Sequence, residues 1–436
     1  MKKVLILLAL TISMLPLRGY CQKDSDDTRQ LQTILDNGDA ILKPNRVYNV
    51  TGLLVTHNID LNGSTIHMTA ASGQTLTVNA ANVKISNGTI SGEYDLKQPG
   101  KYDGTSGILL TKDAPILSKL HVTNFSAQGI VCGPPLNNPV IVNCFIEKFG
   151  IMGFFFDSES KPTTGGRFCN NIIDNSAMPP LIVKEGGAMI RGSTDNGTKT
   201  SNWTICNNTF KMPYMPYYWN GEGMEIRHIN NSIVSGNNFF GGSIGVSVVA
   251  GKNITIANNR TFNQKLEGIE FADCIDCVSK NNSIYGSHTD GILIDGARGS
   301  NGIQIIGDTI KNTNEACIHT YFNTKNVTIT GCILVSKNKG INMQNSSFIT
   351  ITNNKFYGNG ITQSAIVLDT CPGNITITGG SMDNFTTSPI IIYSSTPGQV
   401  TDNVKMSGVK VTNTHFGITN YLSKGAATGK NISMDE

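Results

Sequence analysis

The chain has 436 residues, and 34 Lys and Arg stand against 31 Asp and Glu for a formal net charge of +3. Charged residues make up only 15% and form no basic block, which argues against nucleic acid as a partner. Glycine is abundant, at 46 residues, and no internal apolar run is long enough to span a bilayer.

The N-terminus has the pattern of an export signal. Lys2 and Lys3 precede the apolar run Val4 to Leu15, and Gly19-Tyr20-Cys21 follows. Cleavage after Cys21 is expected, giving a secreted or periplasmic bacterial protein whose residues 22–436 form one domain. Loss of Cys21 leaves an odd number of cysteines, which argues against a full disulfide framework. Cys132, Cys169, Cys206 and Cys317 lie in apolar strands and read as small buried hydrophobes. Cys274-Ile275-Asp276-Cys277 has CxxC spacing without a second pair, so zinc is not expected there.

Residues 26–37 predict a short amphipathic helix. Asp26 and Asp27 cap its start, Leu31, Ile34 and Leu35 form its apolar face, and Gly38 suits its end. Such a helix would close the apolar end of a stack of strands.

From about residue 107 to 420 a register recurs. A small residue leads alternating apolar positions: Gly107, Gly129, Gly150, Gly187, Gly223, Gly245, Gly268, Gly291, Ala316, Gly340, Ala365 and Pro389. Most neighbours are about 21 to 25 residues apart, the length of one solenoid turn. A second register supports it. Paired asparagines close successive strands at Asn170-Asn171, Asn207-Asn208, Asn237-Asn238, Asn258-Asn259, Asn281-Asn282 and Asn353-Asn354. Stacked at a bend, their amides would bond the rungs above and below.

The two registers together resemble the pectin-lyase-like right-handed parallel β-helix superfamily. The resemblance implies an all-β solenoid with an N-terminal capping helix, on a fold that hosts lyases, hydrolases, epimerases, tailspikes and adhesins. A monomer or a homotrimer is expected.

Two consecutive rungs, Gly150 to Gly187 and Gly187 to Gly223, are much longer than the rest. Their insertions are Asp157–Gly166, Ser176–Gly186 and Lys211–Gly221, and the last two, just before the Gly-led strand, would wall a binding face. The last insertion carries Tyr217, Tyr218 and Trp219, whose flat rings suit sugars. Alternation in Gly223-Met224-Glu225-Ile226-Arg227 turns Met224 and Ile226 inward and Glu225 and Arg227 outward. The column of Glu225 continues to Ser247 and Glu270. The column of Arg227 contains Arg191 and Asp295. Glu222, Glu267, Asp290 and Glu315 recur just before the small residue.

Two chemistries fit such a face. A lyase needs a base and a group that stabilises the developing negative charge. Glu222, Glu225 and Glu270 would hold Ca²⁺, Arg227 or His228 would be the base, and Arg191 would grip a uronate carboxylate. A hydrolase needs paired carboxylates, for which Glu225/Glu270 and Asp290/Glu315 are the candidates. Gly186-Gly187 to Arg191-Gly192 and Glu222-Gly223-Met224-Glu225-Ile226 resemble rungs of the chondroitinase B and alginate lyase family, which implies a calcium ligand at Glu225. His288-Thr289-Asp290-Gly291-Ile292 is similar to a polygalacturonase rung, which implies a catalytic carboxylate at Asp290. The expectation is an exported enzyme that degrades an acidic polysaccharide. β-Elimination ranks first, hydrolysis second, and a non-catalytic glycan-binding solenoid third. His319 reads as structural.

Overall fold

A computed structural model describes residues 26–94, 104–179, 186–194, 199–213, 221–396, 399–414, 419–420 and 433–435. The export signal expected at residues 1–21 lies outside them. So do most of the aromatic run, including Tyr217, Tyr218 and Trp219, and residues 180–185 of the second insertion.

Every strand pairing among the described residues is parallel and joins one rung to the next. The strands fall into a 15-stranded and a 29-stranded sheet. The smaller sheet is one wall of a right-handed β-helix, with one strand per rung. The strands that matter below are β1 (Met152–Asp157), β2 (Gly186–Arg191), β3 (Met224–Arg227), β4 (Val246–Val249), β5 (Ile269–Ala272), β6 (Ile292–Asp295), β7 (Ala316–Thr320) and β8 (Lys339–Gln344). Pairing begins well before Gly107, with Ala40–Ile41 on Ile59–Asp60. The early rungs lack the glycine register, so the sequence did not mark them.

The inward positions make one continuous apolar core. Met224, Ile226, Val246, Val248, Ile269 and Phe271 have no exposed surface. Phenylalanines stack within and between rungs, with ring centroids 4.7 Å apart for Phe154 and Phe168 of one rung and 4.8 Å for Phe210 and Phe239 of adjacent rungs. The leading glycine has a steric cause. A Cβ on Gly223 would sit 2.6 Å from Phe239 Cδ1 and 2.7 Å from the Gly245 carbonyl oxygen of the next rung.

The pairing corrects the register at two rungs. Phe154 pairs with Ala188 and Ile130, so Gly153, not Gly150, aligns with Gly129 and Gly187. Ile292 pairs with Ile318, so Cys317, not Ala316, takes the glycine position, and Glu315 falls one residue outside the column of Glu222, Glu267 and Asp290.

The asparagine ladder is present. Asn171, Asn208, Asn237, Asn259 and Asn282 each donate a side-chain N–H to the oxygen of the next residue in the series, at 2.9 to 3.3 Å, and the row ends on the Asp308 carboxyl. In most pairs the first asparagine adopts the left-handed conformation at the bend, as at Asn170 (φ 59), and the second bonds. Cys169 and Cys206 are not separate hydrophobes. They occupy paired positions on adjacent rungs and form a disulfide. Cys132, Cys274, Cys277 and Cys317 are buried free thiols.

The expected lid is α1 (Thr28–Asp36), which buries Leu31 and Leu35. Ile34 is 40% exposed and lies at the edge of that face. Asp26 accepts the Thr28 amide N–H at 2.9 Å, whereas Asp27 is drawn away to Arg46 (2.7 Å) and to the Asn49 N–H (3.1 Å), so the two acids do not share the cap. Gln32 exchanges two hydrogen bonds with the Leu54 backbone, which docks the helix on the first rungs. Among the described residues no helix is long and apolar enough to cross a membrane.

Candidate functional site

The outer face of β2 to β5 carries a cavity of about 680 Å³ lined by Arg191, Glu222, Glu225, Arg227, Ser247 and Glu270, with Phe155 and Met189 at one end. The even winding of the rungs brings these residues together. Glu225, Ser247 and Glu270 are successive partners in one column. Arg191, Arg227, Val249, Ala272 and Asp295 form the neighbouring column, as alternation predicts.

The two arginines are held differently. Arg227 places Nη2 2.5 Å and Nε 2.6 Å from Glu225 Oε1, and Glu225 is only 6% exposed. Arg191 is bridged to Asp157 on β1, with Nη2 2.8 Å from Oδ2, and lies 3.4 Å from Glu159. Sequence reasoning missed Asp157. It occupies the arginine column one rung earlier, where the misplaced glycine hid it.

The carboxyls face different environments. Burial pushes Glu222 up to about 7, aided by the charges of Glu225 and Glu270. Burial also raises Glu270, whose Oε2 accepts the Ser247 hydroxyl at 2.5 Å. Glu267 lies behind the cavity, bonded to Thr289, and burial takes it to about 8. The acids before the small residue are therefore not a solvated row: Glu267 and Asp290 are buried, while Glu315 is exposed. Burial, with the charges of Glu270 and Asp273, raises Asp295 to about 7 at the far end of the arginine column.

His228 follows β3 at φ 54, half-buried and not part of the cavity lining. Burial and the nearby Lys199 and Arg227 charges lower its pKa. Asp290 belongs to a second cluster, which starts one rung beyond Glu270 and reaches His319 on the second. Its Oδ2 lies 2.9 Å from His319 Nδ1 and its Oδ1 accepts the Ala316 N–H at 2.8 Å. His319 continues the Glu270 column through Leu293, so it faces outward.

Calcium at Glu222, Glu225 and Glu270 does not fit the side chains as they stand. The Arg227 guanidinium is bonded to one Glu225 oxygen, and Ser247 to one Glu270 oxygen. Among the described residues the metal-ligating atoms that gather within 4.8 Å of one another are those of Asp290, Glu315 and His319, a group that could hold a metal ion.

The architecture is a right-handed parallel β-helix, the fold of the similar solved structures that follow. Within the chain, residues 182–365 match the family model described as periplasmic copper-binding protein (NosD). Similar solved structures include bacteriophage phi29 gene product 12 (TM-score 0.56, 11% identity, 91% of this chain and 72% of that one). The Dettilon tailspike protein gp208 follows at 0.50 and 13%, with 89% of this chain and 65% of that one. The Streptococcus pneumoniae surface adhesin PfbA gives 0.50 and 13%, with 77% of this chain and 88% of that one. The chain spans 45% and 41% of the length of two tailspike protein 2 chains that it also matches. At these identities the likeness is one of fold. No curated protein matches the chain.

Proposed function

We propose that the protein is an exported enzyme that cleaves glycosidic bonds of an acidic, uronate-containing polysaccharide by hydrolysis in the β2–β5 cavity. One observation carries this reading: Glu225 and Glu270 share a column but have opposed surroundings. Arg227 is ion-paired to Glu225, an arrangement suited to a base or nucleophile. Burial favours protonated Glu270, suited to a general acid. Two rungs separate them, roughly 10 Å along the axis, close to the wider carboxyl spacing of inverting hydrolysis. Arg191, whose Nε and Nη2 already grip Asp157, would receive the uronate carboxylate at its outer Nη1–Nη2 edge. Tyr217, Tyr218 and Trp219 would supply stacking from the third insertion, and Asp295 would contact sugar further along the groove. The word periplasmic in the NosD description supports export.

This order reverses the ranking drawn from sequence. Elimination needs a free base, and Arg227 is committed to Glu225 while His228 does not line the cavity. A panel of acidic glycans assayed for new reducing ends and for unsaturated-product absorbance, with and without chelator, tests the proposal. Reducing ends without an absorbance rise are expected. A chelator-sensitive absorbance rise would restore elimination. Binding without turnover, unaltered in Glu225→Gln and Glu270→Gln, would make the protein a glycan-binding solenoid.

A further inference from the structure

We propose that Asp290, Glu315 and His319 form a binding site for a divalent first-row transition ion of the zinc class, outside the cleavage cavity. One carboxyl oxygen each from Asp290 and Glu315 and a ring nitrogen of His319 lie within 4.8 Å of one another. An ion with bonds of about 2.0 to 2.2 Å would draw such a trio inward by modest side-chain rotations. Two of the donors are already oriented. The Ala316 N–H fixes Asp290, and the Tyr321 ring, its centroid 4.0 Å from that of His319, restrains the imidazole. Glu315 is exposed at the rim, which leaves the solvent side open for exchangeable ligands.

The second observation lies behind the imidazole. Asn342 is 2% exposed, its Nδ2 is 2.7 Å from His319 Nε2, and its Oδ1 is buried without a partner. A half-turn of the amide places Oδ1 on Nε2, where it accepts an Nε2–H. The ring then carries its proton on Nε2 and offers the Nδ1 lone pair to the ion beside the two carboxylates. A backing hydrogen-bond acceptor of this kind is the usual support of a metal-bound histidine. An Asp–His pair alone would not need a second carboxylate, that of Glu315, within reach of the same point.

The donor set decides the metal. Calcium and magnesium favour oxygen alone, whereas an imidazole with carboxylates suits zinc and its neighbours. The ion would face the same side as Glu270, one to two rungs away, roughly 5 to 10 Å along the axis. There it would offer an open position to a carboxylate of the bound glycan. That last role rests on the proposed function, whereas metal binding does not.

Calorimetric titration of the metal-stripped full chain with Zn²⁺, then with Ca²⁺, tests the site, with the Zn²⁺-induced rise in Tm as a second readout. One Zn²⁺ per chain is expected, with Ca²⁺ at least tenfold weaker. Glu315→Gln, on the surface, should weaken Zn²⁺ tenfold or more. Asn342→Leu should weaken it about 10- to 100-fold, and His319→Gln should abolish the Tm rise. Zn²⁺ affinity unchanged in Glu315→Gln overturns the site, whether or not the buried variants fold. So does preferential Ca²⁺ binding that is lost in Glu222→Gln. Zn²⁺ bound as expected, with no glycan cleaved, upholds the site while the proposed function falls.

Discussion

Arg227 and Glu225 are two residues apart on one strand, face the same side and form an ion pair at 2.5 Å. The guanidinium is a counter-ion for a carboxylate that is almost wholly covered. Arg227→Met should therefore destabilise the protein by about 1 to 3 kcal/mol in urea unfolding, because Glu225 keeps its burial and loses its partner. Adding Glu225→Gln should recover part of that loss, since removing both partners costs less than stranding one.

Glu270→Gln should lower kcat by about 10² to 10⁴-fold, the range expected for a lost general acid, with little change in KM. The Tm should stay near wild type or rise, because an amide needs no ionisation in a buried place. Arg191→Lys should act oppositely, raising KM for acidic glycans while neutral ones are unaffected, since an ammonium cannot reproduce the two-pronged contact.

Stability should fall as pH rises from about 4.5 to 8. Burial holds Glu222 and Asp295 near 7, Glu267 near 8 and Asp308 near 7. In the unfolded chain these acids release their protons at about 4. Between those limits the folded state binds more protons, so the stabilisation present in acid is lost on the way up. Tm measured across this window should decline, and Glu267→Gln should flatten its upper end.

The ladder makes a sharp positional prediction. Asn237 donates to the Ile205 carbonyl and to Asn259, and accepts from Asn208. Asn237→Ala strands several buried groups, each worth about 1 to 3 kcal/mol, and should cause a large loss in urea midpoint. Asn238→Ala, one residue on and outside the ladder, should change it little.

The sequence displayed the winding because two features recur in most turns after Gly107: no Cβ beneath the next rung's carbonyl, and an amide at the bend. Its misreadings have the same origin. Starting the rung at Gly150 put Asp157 out of step, although it stands four residues past Gly153 as Arg191 does past Gly187 and Arg227 past Gly223. Starting at Ala316 made His319 read as structural, although it stands two residues past Cys317 as Glu225 does past Gly223. The apolar pairs after Gly150 and Ala316, Ile151-Met152 and Cys317-Ile318, fit the motif locally, and only strand pairing separates them from the true starts. The Arg227–Glu225 pair was within reach, since alternate residues of a strand share a face. Burial of Glu267 and Asp290 was not, because it depends on side chains from neighbouring turns.

The backbone contact that forbids a side chain at Gly223 also separates scaffold from chemistry. The fold is secured at the glycine and at the asparagine bend, whereas reactive groups project two and four residues past the glycine. Those two addresses can be rewritten together, as partners, while the glycine and the bend that secure the thread stay in place. Along β1 to β8 the solenoid is a row of interchangeable sockets, and exchanging residues between them is the direct way to redirect what the groove accepts.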